Sequence, residues 1–316
     1  MELDLIALGR ACIDETLLIP DTFQENNKFP ILDQRVSGGG QAATSALIVS
    51  LLGGKSAYAG VLGTDPRGEQ IYKEFEEFGV DTRWIVRDSS YKTPRAVILV
   101  HSGSGERTIL YEPGEGDRRW EIPAEALKSS KVWILDPQIT ESELDTLLSL
   151  KPKETILVYD AERKRPSLPR MMEAADFFIA SETILDLDPD MDRVSQLALL
   201  YKEKVKGELV ITCGAKGAFW YQQSGTVTHI PALNNMGVVD TTGAGDVFHA
   251  SFAYYYPRLG CVKSALVKAS VCAGISVSKI GTRHADMFCQ NNIELLSKQI
   301  QPEDLAYEVA AGIVAE

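Results

Sequence analysis

This sequence has no excess of basic charge: 32 lysines and arginines stand against 44 aspartates and glutamates, a formal net charge of -12. Without a basic footprint nothing draws in a phosphate backbone, so no nucleic-acid partner is expected. A small anionic substrate is still allowed, because a local set of backbone donors can oppose the global field. Paired cysteines are missing too. Cys12, Cys213, Cys261, Cys272 and Cys289 are odd in number, scattered and without a C-x-x-C pair, which argues against a disulfide framework or a structural zinc site. No apolar run approaches the ~20 residues needed to cross a bilayer. The first residues, MELDLIALGR, carry two acids where a secretory leader has a basic region. No membrane partner and a reduced, cytoplasmic compartment are therefore expected. Repeats, low-complexity tracts and long Pro/Ser-rich linkers are absent as well. What remains is 316 residues, 45% of them apolar, enough for one large core, and the reading is a single domain spanning residues 1–316.

Short apolar runs at residues 3–9, 132–135, 155–159, 177–180 and 209–212 read as buried strands. Segments of helical period lie at 41–52, 67–78, 141–149, 191–205, 244–255 and 261–278. Their alternation predicts an α/β fold with a mostly parallel sheet covered on both faces. Two stretches break the alternation, residues 13–36 and the hairpin 95–112, whose arms flank Ser102-Gly103-Ser104-Gly105. They read as antiparallel strands of a small β lid. The run Ala96 to Val100 is apolar at every position, which predicts burial on both faces. An isolated small sheet leaves one apolar face and its edges to be covered. Pairing of two lids in a homodimer would cover them.

The most informative segment is Val239-Asp240-Thr241-Thr242-Gly243-Ala244-Gly245-Asp246-Val247-Phe248. Its small residues let a ligand approach the backbone, and the apolar pattern that follows begins a helix whose unpaired N–H groups suit a phosphate. A carboxylate at that place would repel phosphate as a mere contact. Asp246 makes better sense as a base facing an attacking hydroxyl, with the neighbouring amides stabilising the transferred group. The plainer alternative is a tight turn with an N-capping aspartate. A second glycine run, Ser37-Gly38-Gly39-Gly40, also opens an apolar helix that closes at Gly53-Gly54. Gly54-Lys55-Ser56 is not the end of a P-loop, since Val49 occupies the first glycine position and the triplet follows a helix. Gly9-Arg10-Ala11-Cys12 is no dinucleotide fingerprint either, lacking a second glycine in register.

Together, the early G-G-G-Q-A-A-T-S-A helix start, the stretch GVLGTDPRGEQIYKEFEEFGV from Gly60 and the late D-T-T-G-A-G-D-V-F resemble, in order, the signatures of the ribokinase-like, PfkB-type carbohydrate kinases. The resemblance runs from Leu5 to about Gly281 and implies a ribokinase-like three-layer sandwich. It also implies phosphorylation of a sugar hydroxyl by ATP with Mg2+. By that resemblance Asp246 is the catalytic base, and Gly243, Ala244 and Gly245 form the anion hole. Asp14, Gly39 and Gly40 hold sugar hydroxyls, with Thr44 and Gln138 at further sugar-contacting positions. Thr212, Gly214 and Gly217 line the nucleotide site, and Asp240 and the Thr242 carbonyl match a monovalent-cation site suited to K+.

Departures from the pattern are specific. Cys12 and Thr44 stand where asparagines are common, and neither a thiol nor a hydroxyl replaces an amide's paired donor and acceptor. The glutamate of the family's N-x-x-E element is missing near Ser181 to Ile184, leaving Glu182 as the nearest carboxylate for a water-mediated Mg2+ contact. The D-V-F-H ending and the Ser181-Glu182 pair are similar to the sulfofructose kinase branch, although Gln138 offers no positive charge to a sulfonate. The expected acceptor is a small-molecule sugar, a fructose-like ketose first, with a nucleoside or sulfo-sugar behind it. A non-catalytic sugar- or nucleotide-binding regulator is the rival from another class. His249 reads as a packed helix histidine, His284 and Arg283 as an exposed loop, Lys28 as an exposed edge-strand lysine, and Tyr254 to Tyr256 as packing at a helix end.

Overall fold

The computed structural model describes residues 2–22, 24, 26–116, 124–128, 130–184, 204–222, 224–234 and 236–305. Among these, ten strands build one sheet: β1 (Leu3–Leu8), β4 (Ser56–Gly63), β5 (Ile85–Asp88), β8 (Ser130–Leu135), β9 (Ile156–Ala161), β10 (Phe177–Ser181), β11 (Glu208–Thr212), β12 (Ala218–Tyr221), β13 (Val227–Ile230) and β14 (Glu303–Leu305). Their order is β14-β13-β12-β11-β10-β9-β8-β1-β4-β5. The strands from β5 to β11 pair in parallel, and β12 to β14 continue the sheet antiparallel.

Successive side chains of a strand point to opposite faces, and both faces here are apolar. Leu5, Val132, Ile134, Val158, Ile179 and Val210 pack on one side under α1 (Gln41–Leu51), α6 (Ala244–Leu259), α7 (Val262–Ser276) and α8 (Gln290–Ser297). Ile6, Leu8, Trp133, Leu157, Phe178 and Ile211 pack on the other with α3 (Ala124–Lys128), α4 (Glu141–Leu150) and α5 (Leu168–Ala174). The three layers expected from the alternation are present. The helix expected at 191–205 lies, for residues 191–203, outside the described residues.

Along the chain, strand order runs outward one way through β1, β4 and β5 and the other way through β8, β9, β10 and β11. The reversal between β1 and β8 opens a crevice at the carboxyl ends of the strands, where ligands bind in open α/β sheets.

A second sheet of four strands, β3-β2-β6-β7, stands over this end: β2 (Cys12–Ile19), β3 (Asp33–Gly39), β6 (Arg95–His101) and β7 (Arg107–Glu112). It is the expected lid, with one correction: β2 and β6 pair in parallel, not antiparallel. A parallel neighbour needs a long crossover, here supplied by residues 20–94. The run 96–100 is also corrected. Ala96, Ile98 and Val100 are buried while Val97 and Leu99 are only half-buried, so a single copy buries one face. Helix α2 (Pro66–Glu77) fastens the lid. Arg67 takes Glu112 in a bidentate pair at 2.9 and 3.1 Å, and with Lys92 holds its carboxyl down to about 2.

Candidate active site

A cleft of about 920 Å³ lies between the strand ends and the lid. Helix α6 begins at its floor. Gly243, the residue before the helix, has φ 70, and a Cβ there would lie 2.6 Å from Thr282 Cγ2, so only glycine fits. A Cβ on Gly245 would meet nothing within 4 Å and would project into open space, leaving the first-turn amides accessible to a ligand. Asp246 follows on that turn and lines the cleft with Gly243, Ala244 and Gly245, so the structure brings together the expected base and the three residues of the expected anion hole. Burial pushes the Asp246 carboxyl well above the usual carboxylate range; the charges of Asp160 and Glu162 add to the rise and His249 opposes it.

Asp240 is not at the cleft surface. It is 1% exposed, accepting the Thr242 amide through one carboxylate oxygen and the Gly281 amide through the other, both at 2.8 Å. It therefore ties the glycine turn to the loop after α7. The Thr242 hydroxyl beside it is buried with no hydrogen-bond partner among the described residues.

On the opposite wall, Asp14 of β2, Gly40 and Thr44 line the cleft. Burial raises the Asp14 carboxyl, and the Cys12 thiol, donating at 3.1 Å, and Arg283 offset part of the rise. Gly40 has φ 90, and a Cβ would lie 2.7 Å from the Arg10 carbonyl. Gly39 differs from expectation. It is buried behind Asp14, and a Cβ there would overlap the Asp14 carboxylate. Its place is to let that side chain pack, and it does not line the cleft. Thr44 accepts from Arg283 at 3.3 Å. Gln138, three residues beyond β8, lines the cleft, its backbone N–H donating to Asp136 at 2.7 Å.

Toward the β11 side, Glu182, Thr212, Gly214 and Gly217 line the same cleft. Gly217 has φ 91 and lies so close to the Ile230 carbonyl that no side chain fits. No cluster of three or more His, Cys, Asp or Glu able to hold a metal is present among the described residues. Mg2+ carried on nucleotide phosphates needs only one or two carboxylates, and Asp160, whose Oδ2 is buried without a partner among the described residues, lines the cleft along with Glu162 and Glu182.

His249 is packed as expected, 3% exposed, its ring nitrogens meeting the Gly245 and Ile179 carbonyls at 2.6 and 3.0 Å. It also reaches Asp160 at 3.4 Å. The exposed reading of Arg283 and His284 is overturned. Arg283 is 1% exposed and pairs with Glu74 at 3.2 Å, and His284 is half-buried against the Ile280 carbonyl and Arg35. Lys28 is exposed as expected but lies in the loop between β2 and β3, not on an edge strand, and Tyr254 and Tyr255 are buried in the core as expected.

Residues that sequence reasoning missed are Arg10, Asp136, Asp160, Arg107 and Arg165, all lining the cleft. Their signal is position: Asp136 follows the end of β8 directly, Arg10 comes one residue later after β1, and Asp160 is the penultimate residue of β9.

Comparison with known proteins agrees with this geometry. The profile of the pfkB family carbohydrate kinases matches residues 5–287. The chain is 25% identical over 295 residues to a deoxyribokinase of Salmonella typhi, covering 89% of this chain and 94% of that one. It is 25% identical over 280 residues to a ketohexokinase of Mus musculus, covering 84% and 93%. The structure of Arabidopsis thaliana ribokinase complexed with ribose and ATP superposes with a TM-score of 0.77 at 21% identity, over 94% of this chain and 99% of that one. The fold is therefore the ribokinase fold, and no described helix is long and apolar enough to cross a membrane. With nearly the whole chain matched and the glycine turn, its aspartate and the lid in place, this chain belongs to the pfkB family of carbohydrate kinases and is a sugar kinase, a phosphotransferase acting on an alcohol group.

Proposed function

We propose that the enzyme transfers the terminal phosphoryl group of ATP directly to a hydroxyl of a fructose-like ketose, with Asp246 as the base. The observation that carries this reading is the environment of Asp246. Its carboxylate makes no hydrogen bond among the described residues, lies within the electrostatic reach of Asp14 and shares one cleft with it. It is thus free to accept the proton of a hydroxyl that Asp14 and the backbone near Gly40 hold in place. The amides of Gly243 to Asp246, aligned by the start of α6, oppose the charge that develops on the transferred group. Positioning and electrostatics supply most of the acceleration in this kind of transfer. Thr212, Gly214 and Gly217 suit the nucleotide, which a related ribokinase binds with its sugar. The ketohexokinase relative supports a ketose.

Mg2+ would be held on the ATP phosphates by Asp160, Glu162 or, through water, Glu182, and would neutralise phosphate charge. The unpartnered Thr242 hydroxyl beside Asp240 suits a K+ ion that orders the turn carrying Gly243 to Asp246.

The lid closes the sugar site. Its hairpin tip is already held there, the Gly105 carbonyl accepting the Thr241 hydroxyl at 2.9 Å. On the outer face of the lid, Val36 and Leu110 flank Glu15 and Val97 in one row, and Leu17 and Leu99 form the next. Val36 and Leu110 are 50% and 57% exposed. This apolar face is the surface on which two copies pair. A screen of ketoses, aldoses, nucleosides and anionic sugars by ADP release tests the whole reading. ADP formed with a ketose supports it, and ligand-induced thermal stabilisation without ADP marks a binding-only protein.

A further inference from the structure

Arg283 is 1% exposed and lies behind the cleft wall rather than in it. Its Nη1 meets Glu74 at 3.2 Å and its Nη2 donates to the Thr44 hydroxyl at 3.3 Å, while Nε is buried with no partner among the described residues. A buried cation that is only partly satisfied destabilises a fold, and an apolar side chain of similar volume would cost less. The charge therefore needs a reason, and the strand in front of it supplies one.

Gly38 and Gly39 separate Arg283 from the sugar side of the cleft. Successive residues of β3 face opposite ways. A Cβ on Gly38 would overlap the guanidinium, and one on Gly39 would overlap the Asp14 carboxylate. The cation and the carboxylate thus lie against the two faces of one bare stretch of strand. The loop carrying the arginine is fixed on every side. The Gly281 amide donates to Asp240 at 2.8 Å, Thr282 faces Gly243, and the Arg283 carbonyl accepts from Arg35 at 2.5 Å.

The charges that face Asp14 from the elements around it are Asp240, before the glycine turn, Glu74 of α2 and Asp246 of α6, all acidic, with Arg283 set against them. On its own strand the Cys12 thiol donates to it at 3.1 Å. Burial raises the Asp14 carboxyl, Asp240 and Glu74 raise it further, and the thiol and Arg283 bring it part of the way back.

We propose that Arg283 is a positioning residue for the acceptor sugar: from behind the wall it supplies the positive charge that keeps the Asp14 carboxylate an acceptor of sugar hydroxyls, and it steadies the Thr44 hydroxyl in the same wall. The proposal rests on the reading of Asp14 as a sugar ligand and adds the residue that sustains it. A guanidinium is a permanent charge, and across a buried wall its field is weakly screened. Glu74 has a double part. It holds the guanidinium, and the Gly38 amide at 2.8 Å, in place, yet its own charge opposes the ionisation of Asp14. Removing the arginine and removing the glutamate should therefore move Asp14 in opposite directions.

Two readouts on the full chain test this. Carbon NMR of protein labelled at the aspartate carboxyl carbons follows the ionisation of Asp14, its resonance identified by loss in Asp14→Asn. The midpoint should rise in Arg283→Gln, return most of the way in Arg283→Lys and fall in Glu74→Gln. Steady-state ADP release with D-fructose gives the KM for sugar, which should rise about 10-fold in Arg283→Gln, the scale of a lost charge-assisted contact. The rise should be larger at pH 6 than at pH 8 and largely absent in Arg283→Lys, with kcat and the KM for ATP within about threefold of the unmodified values. Midpoints that stay put, or that move the same way in Arg283→Gln and Glu74→Gln as general loosening of the fold would produce, overturn the proposal. A sugar KM raised in Asp14→Asn and unchanged in Arg283→Gln overturns it and leaves Asp14 as the sugar ligand. A sugar KM unchanged in Asp14→Asn removes Asp14 from the sugar site and the proposal with it. If D-fructose yields no ADP, the ketose reading fails and the NMR midpoints decide alone. Glu74→Gln, which leaves the arginine in place, keeps the test decisive should Arg283→Gln not fold: a midpoint that does not fall there refutes the account.

Discussion

Replacing Asp246 with asparagine separates chemistry from folding, because the carboxylate has the proposed catalytic position and no structural bond to lose. Among the described residues it accepts no hydrogen bond, and it is held in a cleft where burial and the charges of Asp160 and Glu162 oppose its ionisation. Asparagine keeps the size and cannot take the proton. Loss of a positioned general base costs ~10² to 10⁴ in kcat, which is about 3 to 5 kcal/mol of barrier. The effect on stability has the opposite sign. A carboxyl whose pKa is raised in the folded state binds protons more readily there than in the unfolded chain. Its ionised form therefore destabilises the fold, and the loss grows as pH rises past the unfolded value of about 3.9. Asp246→Asn removes that cost at neutral pH, so the melting temperature should hold or rise while turnover falls, a trade of stability for activity at one residue. The paired assay is steady-state ADP release beside a thermal melt, with ATP binding checked by titration. Near-normal kcat removes Asp246 from the mechanism, and a collapsed melting temperature refutes the claim that it bears no structural load.

In the pH profile of kcat/KM, the acid limb should lie above the ordinary carboxylate range, since the base acts only when ionised and its pKa is raised; a limb near 4 would contradict the burial argument. Arg283→Met should lower stability by about 1 to 3 kcal/mol in urea unfolding, since Glu74 loses the buried guanidinium and keeps the Gly38 amide at 2.8 Å. A change under about 1 kcal/mol would mean that the pair contributes little. Activity should be higher in K+ than in a large organic cation at matched ionic strength, and equal rates would remove the ion from the Asp240 loop. Val97→Glu or Leu99→Glu should convert a dimer to monomers with weakened sugar affinity, read by light scattering; an unmodified protein that is monomeric well above assay concentration refutes the pairing of lids.

Much of this architecture is legible from local pattern. The strands β1, β8, β9, β10 and β11 are short apolar runs, and their boundaries match expectation within a residue or two. Helices α1, α2, α4, α6 and α7 follow from apolar period; the cap of α2, where Asp65 accepts the Gly68 amide at 2.8 Å, is seen only in the structure. Strand β4 escaped because SAYAGVLG is rich in small residues and reads as a glycine motif. The strands β12 to β14 escaped because each is short and gains its place only by pairing with the strand before it. The parallel pairing of β2 with β6 is set by a crossover of residues 20–94, which no local pattern records. The site divides the same way. Asp14, Gly40 and the turn from Gly243 to Asp246 carry their chemistry in contiguous residues. The remaining wall comes from Arg10, Arg107, Asp160 and Arg165, far apart in sequence and joined only by sheet order and the lid. Gly39 was misplaced because adjacent glycines share a motif while facing different neighbours, Asp14 for Gly39 and the Arg10 carbonyl for Gly40.

The central claim is direct transfer from ATP to a sugar hydroxyl in the cleft between α6 and the lid, and phosphorus NMR of a single reaction tests it most directly. With ATP, Mg2+ and an acceptor sugar, the account predicts ADP and a sugar phosphomonoester appearing in equal amounts, both suppressed by ~10² or more in Asp246→Asn. ADP accompanied only by inorganic phosphate, or a phosphomonoester formed equally fast by the variant, would contradict it.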